Sequence, residues 1–532
     1  MTNSIEELAA ADAIIIIGSN TTAAHPLVAT RIFRAKAKGA KVVVADPRRI
    51  QISLQADVYV SQKLGTDAAL INGIMHVILK EGWHNQTFIE ERCEGFDEFR
   101  QTVEKYTPEK TEEITGVKAA DIREIARIYA TAEKGSIVYC MGITQHTCGV
   151  DNVKSLANLA MLCGHIGRES TGVNPLRGQN NVQGACDMGG LPNVYPGYQP
   201  VTSLDAKIKF QEAWGVENLS DKLGRTIPDM ITGVMDGSVR ALYVMGENPV
   251  MSDPDAHHVE KALNKIDLLV VQDIFLNETA QLAHVVLPGA SYAEKDGTFS
   301  NTERRIQRVR KAVEPMGDSR ADWEIIQEVS NRFGFPMNYE SPSAIMDEIA
   351  AVTPQYAGVS YARLEGEGLC WPVPTADHPG TMFLHQGRFA KGMGTFHAIE
   401  YRDPAEMVDG EYPLWLTTGR AHIHYHTGTM TRNSPTLHKQ MPEGYAEISP
   451  TEAENLGAKA GDEIRLTTRR GSIKAKAMIT DRVCPGTVFL PFHFIESCAN
   501  VLTNPAHDPI VKIPEYKVCA VKLEMVAPNS LG

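Results

Sequence analysis

Three landmarks that recur in register restrict the fold of this chain more than any other feature. The apolar run Ile14 to Ile17 ends in Gly18-Ser19-Asn20, and Leu242 to Met245 ends in Gly246-Glu247-Asn248. A second run, Val42 to Ala45, ends at Asp46, and its counterpart, Leu268 to Gln272, ends at Asp273. The steps from Gly18 to Asp46 and from Gly246 to Asp273 are 28 and 27 residues. Ten residues after each aspartate comes a third run, Ala56-Asp-Val-Tyr-Val or Ala283-His-Val-Val-Leu, which closes at Gly65 or Gly289. Continuous Val and Ile strands separated by helical periodicity indicate a parallel sheet covered on both faces. The helices are read at His25 to Lys38, Asp67 to Lys80 and Ala119 to Ala132, with strand character resuming from Ser136 to Met141. Two doubly wound α/β halves built alike are therefore predicted.

In a parallel sheet, a glycine turn between strand and helix lets backbone N–H groups and a helix N-terminus meet an anion. A carboxylate at the end of the next strand accepts hydrogen bonds from a ribose or a base edge. Either turn alone also suits a purely steric corner. The duplication asks for a ligand with two nucleotide ends.

From Tyr412 onward the pattern changes to short strands: Leu414 to Thr418, Tyr445 to Ser449, Glu463 to Thr468, Ser472 to Ile479 and Thr487 to Leu490. This predicts a C-terminal β-barrel-like domain. The expected division is 1–135 and 236–363 as discontinuous α/β halves, 136–235 as an α/β insert, 364–410 as a linker and 411–532 as the barrel domain.

With 52 Lys and Arg against 65 Asp and Glu, the net charge of −13 disfavours nucleic acid or an anionic membrane as the main partner. An anionic ligand then needs a local basic site. The nine cysteines are scattered without a Cys-x-x-Cys pair, so they read as free thiols of a reducing compartment, and no metal ligand is assigned within this chain. No apolar run approaches the ~20 residues of a membrane helix.

The segment from Gly172 to Gly190 holds five glycines, Arg177 and several amides, with almost no apolar periodicity. It is expected to form neither a core helix nor a core strand. A loop of this composition offers backbone donors, amide donors and one fixed cation, suited to a small anionic substrate beside a large polar cofactor. A flexible surface loop is the alternative.

Arg177-Gly-Gln-Asn-Asn-Val-Gln-Gly-Ala-Cys-Asp-Met-Gly resembles the active-site loop of molybdenum- or tungsten-containing formate dehydrogenases, within the bis-molybdopterin guanine dinucleotide oxidoreductases. Ile17-Gly-Ser-Asn, Asp46-Pro-Arg-Arg, Met141-Gly-Ile-Thr-Gln, Met245-Gly-Glu-Asn-Pro, Gln272-Asp-Ile-Phe, Leu287-Pro-Gly, Thr418-Gly-Arg and Pro514-Glu-Tyr-Lys resemble that family in the same order. The resemblance implies that Arg177 holds the formate carboxylate and that Gln179 lies beside substrate and pterin. It implies that Met141, Gly142, Gln145 and Gly178 contact cofactor. Gly18, Asn20, Asp46 and Arg48 would bind one guanosine, and Gly246, Asn248, Gln272, Asp273 and Asp322 the other. Arg420, His424, Tyr425, Tyr516 and Lys517 would close over the pterins. His146 and His165 are left as core or surface residues.

The same resemblance implies a molybdenum or tungsten centre on two pterin dinucleotides, and partner subunits of iron–sulfur, NAD-linked or hydrogenase type. A cytoplasmic setting is expected. The family's four-cysteine [4Fe–4S] segment and its selenocysteine or cysteine metal ligand are expected upstream of Met1, as is any targeting signal. A rival expectation is an inactive, cofactor-holding fragment, or a homologue acting on another substrate.

Overall fold

The structure, a computed structural model, describes residues 1–526; residues 527–532, the end of the expected barrel domain, lie outside the described residues. The chain forms two compact units: Met1–Gly178 with Met251–His257 and Phe383–Gly532, and Gln179–Val250 with His258–Met382.

The first unit contains a parallel sheet of β1 (Ala13–Ile17), β2 (Lys41–Ala45), β3 (Val58–Val60), β4 (Gly135–Tyr139) and β5 (Gly172–Pro175), in the order β3-β2-β1-β4-β5. Every residue of β1 is buried, and alternate isoleucines feed opposite faces. Ile15 and Ile17 pack in the core with α2 (Asp67–Lys80) and α3 (Ala119–Ala130), while Ile14 and Ile16 pack with α1 (Pro26–Ala37). The period-2 alternation of a strand puts consecutive apolar residues into two cores, which is why the run is continuous rather than alternating. The strand order reverses between β1 and β4, so a crevice opens at their carboxyl ends, the place where such sheets bind ligands.

β5 corrects the sequence expectation for the segment from Gly172 to Gly190. Gly172–Pro175 pairs with β4 from Ser136↔Gly172 to Tyr139↔Pro175. Further along, Val182–Asp187 forms a helix. Backbone pairing, with Asn174 donating to Ser136 Oγ at 2.8 Å, builds a four-residue strand without apolar periodicity.

The second unit holds β6 (Ala241–Met245), β7 (Leu268–Asp273) and β8 (Val285–Pro288) in the order β8-β7-β6. This is the β3-β2-β1 arrangement repeated. The correspondence reaches single hydrogen bonds: Gly18 N donates to Ala45 O at 3.1 Å and Gly246 N to Gln272 O at 2.9 Å. One face of this sheet packs on Ile231, Val234, Val259, Ala262 and Leu263. The other differs from the two-sided burial expected, because Tyr243, Met245, Leu268 and Val285 are 42–50% exposed. Beyond this sheet, β9 (Gly297–Ser300), β10 (Arg305–Val309) and β11 (Leu369–Cys370) form an antiparallel sheet.

In the first unit, β12 (Leu414–Gly419), β13 (Tyr445–Ile448), β14 (Glu463–Thr467), β15 (Ser472–Ile479), β16 (Thr487–Pro491) and β17 (Cys519–Met525) close into a barrel in the order β12-β16-β13-β15-β14-β17. Five of these strands correspond to the sequence expectation, and β17 adds the sixth. Its core includes Leu416, Ile448, Ile464, Leu466, Val488, Leu490 and Val521. No helix among the described residues is long and apolar enough to cross a membrane.

Candidate functional site

The carboxyl ends of β1, β2, β4 and β5 place Gly18, Asp46, the Met141–Thr144 turn and Arg177 along one sheet edge. At the switch point two glycines touch. Gly142 N donates to Gly18 O at 3.0 Å, and a Cβ on Gly142 would lie 2.6 Å from Gly18 Cα. Gly18 also has φ +57°, so it needs both the space and the left-handed backbone.

The barrel sends side chains to the same edge. Arg420, just after β12, donates from Nη1 to Gly178 O at 2.8 Å. A Cβ on Gly178 would sit 2.4 Å from Arg420 Nη2, so a side chain there would make the guanidinium move aside. The His25 ring at Nε2 lies 2.7 Å from Arg177 O. Two successive carbonyls of the loop are therefore each held by a side chain. Burial lowers the His25 pKa, which favours the neutral ring donating from Nε2.

Lys517 donates to Thr418 O at 2.7 Å. Burial pushes its ammonium down to about 8, and the nearby guanidinium groups of Arg420 and Arg48 act in the same direction. Neither Lys517 nor Arg420 has a carboxylate within ion-pair distance among the described residues. Arg48 is different: its Nε and Nη2 grip buried Glu447 at 3.0 and 2.9 Å, with its guanidinium 3.5 Å over the Phe489 ring. Asp46 accepts from the Arg48 amide at 2.9 Å, and burial pushes its carboxyl up to about 6. Buried Lys517 and half-buried Arg420, neither ion-paired among the described residues, lie beside glycine-lined strand ends and could meet a phosphate-bearing ligand, since a buried charge left unpaired is costly.

In the second unit, Gln272 donates to Asp322 at 2.7 Å and accepts from Tyr243 OH at 2.5 Å. Asp322 also pairs with Lys295. Asp273 accepts from Ile274 N at 2.6 Å and from Asn277 Nδ2 at 2.9 Å, and burial raises its carboxyl. Asn248 bridges Glu278 and Thr279, donating at 2.7 Å and accepting at 2.7 Å. Gly246 has φ +64° and open space around it, so conformation alone requires the glycine.

Residues 1–332 match the family described as molybdopterin oxidoreductase, and residues 414–520 match the molydopterin dinucleotide binding domain. The chain belongs to the molybdopterin oxidoreductase family. It is 53% identical over 530 residues to the F420-dependent formate dehydrogenase 1 subunit alpha of Methanococcus maripaludis, covering 99% of this chain and 78% of that protein. Formate dehydrogenase H of Escherichia coli is 40% identical, with 99% of this chain and 74% of that protein covered. Acetylene Hydratase from Pelobacter acetylenicus shares the fold, with a TM-score of 0.75 at 21% identity over 99% of this chain and 81% of that one.

Within this family member, the first unit gathers Gly18, Asp46, Arg48, Gly142, Arg177, Gly178, Arg420 and Lys517. Asn20 precedes the short helix Thr21–Ala24, and Gln145 closes the turn that Met141 opens, its N–H donating to Met141 O at 3.0 Å. Tyr425 lies under Arg420, whose guanidinium is 5.9 Å from its ring, and Tyr516 OH donates to Ser252 O at 2.9 Å. His424 is held by the segment between β12 and β13, its ring nitrogens 3.1 Å from Thr431 Oγ1 and 2.7 Å from Met441 O. His146 and His165 are both buried, and His146 Nε2 lies 2.8 Å from Gly142 O, under the site's floor. Sequence reasoning missed His25, Glu447 and Phe489; none sits in a motif, and only the fold brings them to the site.

Proposed function

We propose that this chain is the catalytic alpha subunit of a formate dehydrogenase that oxidises formate to CO2, releasing two electrons and a proton. The observation that carries the reading is the Arg177–Gly178 peptide, held by His25 and Arg420 at the carboxyl edge of a parallel sheet. Relatives named formate dehydrogenase alpha subunits support it at 53% identity. The fold alone leaves the substrate open, so the substrate is argued from the loop.

The cofactor proposed is bis-molybdopterin guanine dinucleotide carrying Mo or W. When bound, it supplies the redox chemistry that takes the two electrons. Lys517 and Arg420 fit its phosphates, and Gly18, Asn20, Asp46 and Arg48 suit one guanosine. Gly246, Asn248, Gln272, Asp273 and Asp322 suit the other. Met141, Gly142, Gln145, Gly178, His424, Tyr425 and Tyr516 complete the proposed cofactor set. Arg177 orients the formate carboxylate through a charge-assisted fork. Gln179, whose side chain makes no hydrogen bond among the described residues, offers an amide beside it. A [4Fe–4S] cluster, partner electron-transfer subunits and a cytoplasmic setting belong to the same proposal.

Arg177→Lys in the assembled enzyme tests it. A lysine keeps the charge but loses the fork, so kcat/KM for formate should fall roughly a hundredfold or more, equivalent to about 3 kcal/mol. Metal and pterin contents should stay at wild-type levels. Near-normal formate oxidation at full metal loading would show that the arginine is structural.

A further inference from the structure

The helix that follows Gln179 is fastened by a buried polar network that begins and ends on it. Its last residue, Asp187, is 1% exposed and has no cation within ion-pair distance among the described residues. Four neutral donors converge on this one carboxylate. Gln183 Nε2 and Tyr198 OH reach Oδ1 at 2.7 and 2.8 Å, and Tyr356 OH and Trp371 Nε1 reach Oδ2 at 2.6 and 2.7 Å. These donors come from four stretches of chain: the helix itself, the turn Pro196–Tyr198, the turn Pro354–Tyr356 and the end of β11.

The partners are themselves fixed. Tyr356 OH also shares a hydrogen with Ser300 Oγ at 3.0 Å, and Ser300 N donates to Asn181 Oδ1 at 2.9 Å. Asn181 is the residue just before the helix, so the path Asn181–Ser300–Tyr356–Asp187 returns to its own starting element. Trp371 is held from behind by Arg304, a buried arginine whose guanidinium donates to the carbonyls of Trp371, Thr381 and Met382. Gly184 leaves room for the closure, since a Cβ there would meet Asn181 Oδ1 at 2.3 Å.

We propose that Asp187 is a positioning residue: through the Val182–Asp187 helix it fixes the backbone of Gln179 to Asn181, so that the loop presents its polar side chains in one conformation. The inference rests on the formate dehydrogenase reading only where activity is measured. Buried Gln183 and Tyr356 and half-buried Tyr198 and Trp371 would all lose their acceptor, and the two buried donors would carry a desolvation penalty, so removal of the carboxylate releases the helix rather than leaving it in place.

The test compares Asp187→Ala, Asp187→Asn and Tyr198→Phe in the holoenzyme. Asparagine can keep Tyr356 and Trp371 on its remaining oxygen, while Gln183 turns its amide over and the Tyr198 hydroxyl accepts from the new NH2 group. A displacement of about 1 Å at a reacting group costs on the order of a hundredfold. Asp187→Ala is therefore expected to lose about that factor in kcat/KM for formate, and amide hydrogen exchange across 176–190 should quicken. Asp187→Asn should recover most of the activity. Tyr198→Phe, which loses one bond of the four and keeps the fold if Asp187→Ala does not, should fall between wild type and alanine. The proposal is overturned if the alanine or phenylalanine variant leaves both loop exchange and kcat/KM unchanged at full cofactor content. If formate is not turned over by wild type, the exchange experiment still decides whether Asp187 anchors the loop.

Discussion

Gly142→Ala isolates the close approach at the switch point. Gly142 does not have a left-handed φ, so alanine there tests space alone, whereas Gly18→Ala would add backbone strain at φ +57°. The new methyl would lie 2.6 Å from Gly18 Cα and 2.7 Å from Gly18 O, against an ordinary contact of at least 3.4 Å. The ends of β1 and β4 must then part by about 0.8 Å, the difference between 3.4 and 2.6 Å, and both obstacles are backbone. Overpacking of this kind costs ~1–3 kcal/mol, and loss of the Gly142–Gly18 hydrogen bond adds about 1 kcal/mol. We expect the unfolding midpoint of the cofactor-free protein to drop in urea by the equivalent of roughly 2–4 kcal/mol. Pterin content of the assembled enzyme should fall with it, because Gly18 and Met141 flank the proposed cofactor floor. The measurement pair is urea denaturation followed by circular dichroism, and pterin released on denaturation. An alanine variant with wild-type midpoint and wild-type pterin content would refute the requirement for two touching glycines.

His25→Ala removes the donor to Arg177 O and should lower kcat/KM for formate about tenfold or more, while His25→Gln, which still carries an amide donor, should recover part of it; equal activity in all three proteins would sink the clamp. Burial holds His165 down to about 4 and His493 down to about 3, below the ordinary 6.5, so both are neutral in the folded state near neutrality. The unfolded chain takes up these protons first, so their contribution to stability is full above pH 6.5 and is lost as pH falls through about 4 for His165 and about 3 for His493; for His165 the gap from 6.5 to about 4 corresponds to about 3 kcal/mol. Urea midpoints that stay flat between those limits would contradict this. Glu447→Gln leaves the Arg48 guanidinium without its buried carboxylate and should cost ~3–5 kcal/mol of barrel stability; an unchanged midpoint would show that the pair is energetically idle.

The repeated sheet was legible because its signal is local and doubled: apolar strands, a glycine and an aspartate at nearly equal spacing. Five barrel strands were legible for the same reason, from alternation bounded by turns. β5 was not, because its pairing is supplied by the backbone of β4 and leaves no mark in the hydropathy of Gly172–Pro175. The candidate site divides in the same way. Gly18, Gly142, Arg177 and Gly178 lie in motifs that the sequence displays. His25 and Glu447 act on residues 152 and 399 positions away, and a single sequence carries no record of such contacts. The sequence also gave no warning that the second sheet keeps one face exposed, since Tyr243 and Met245 look as apolar as their counterparts in β1.

The barrel is closed by its last stave in chain order. β17 pairs with both β12 and β14, so each of those strands keeps an open edge until Cys519–Met525 arrives. During synthesis the first α/β sheet, complete by Pro175, can form long before that moment. The barrel cannot, and neither can the pairing that sets Lys517, two residues ahead of β17, beside Thr418. Assembly of this sheet edge with the barrel therefore waits for β17: a nascent chain that has not yet presented residues 519–525 would display a folded sheet edge and an unsealed barrel with two templates for aberrant strand pairing.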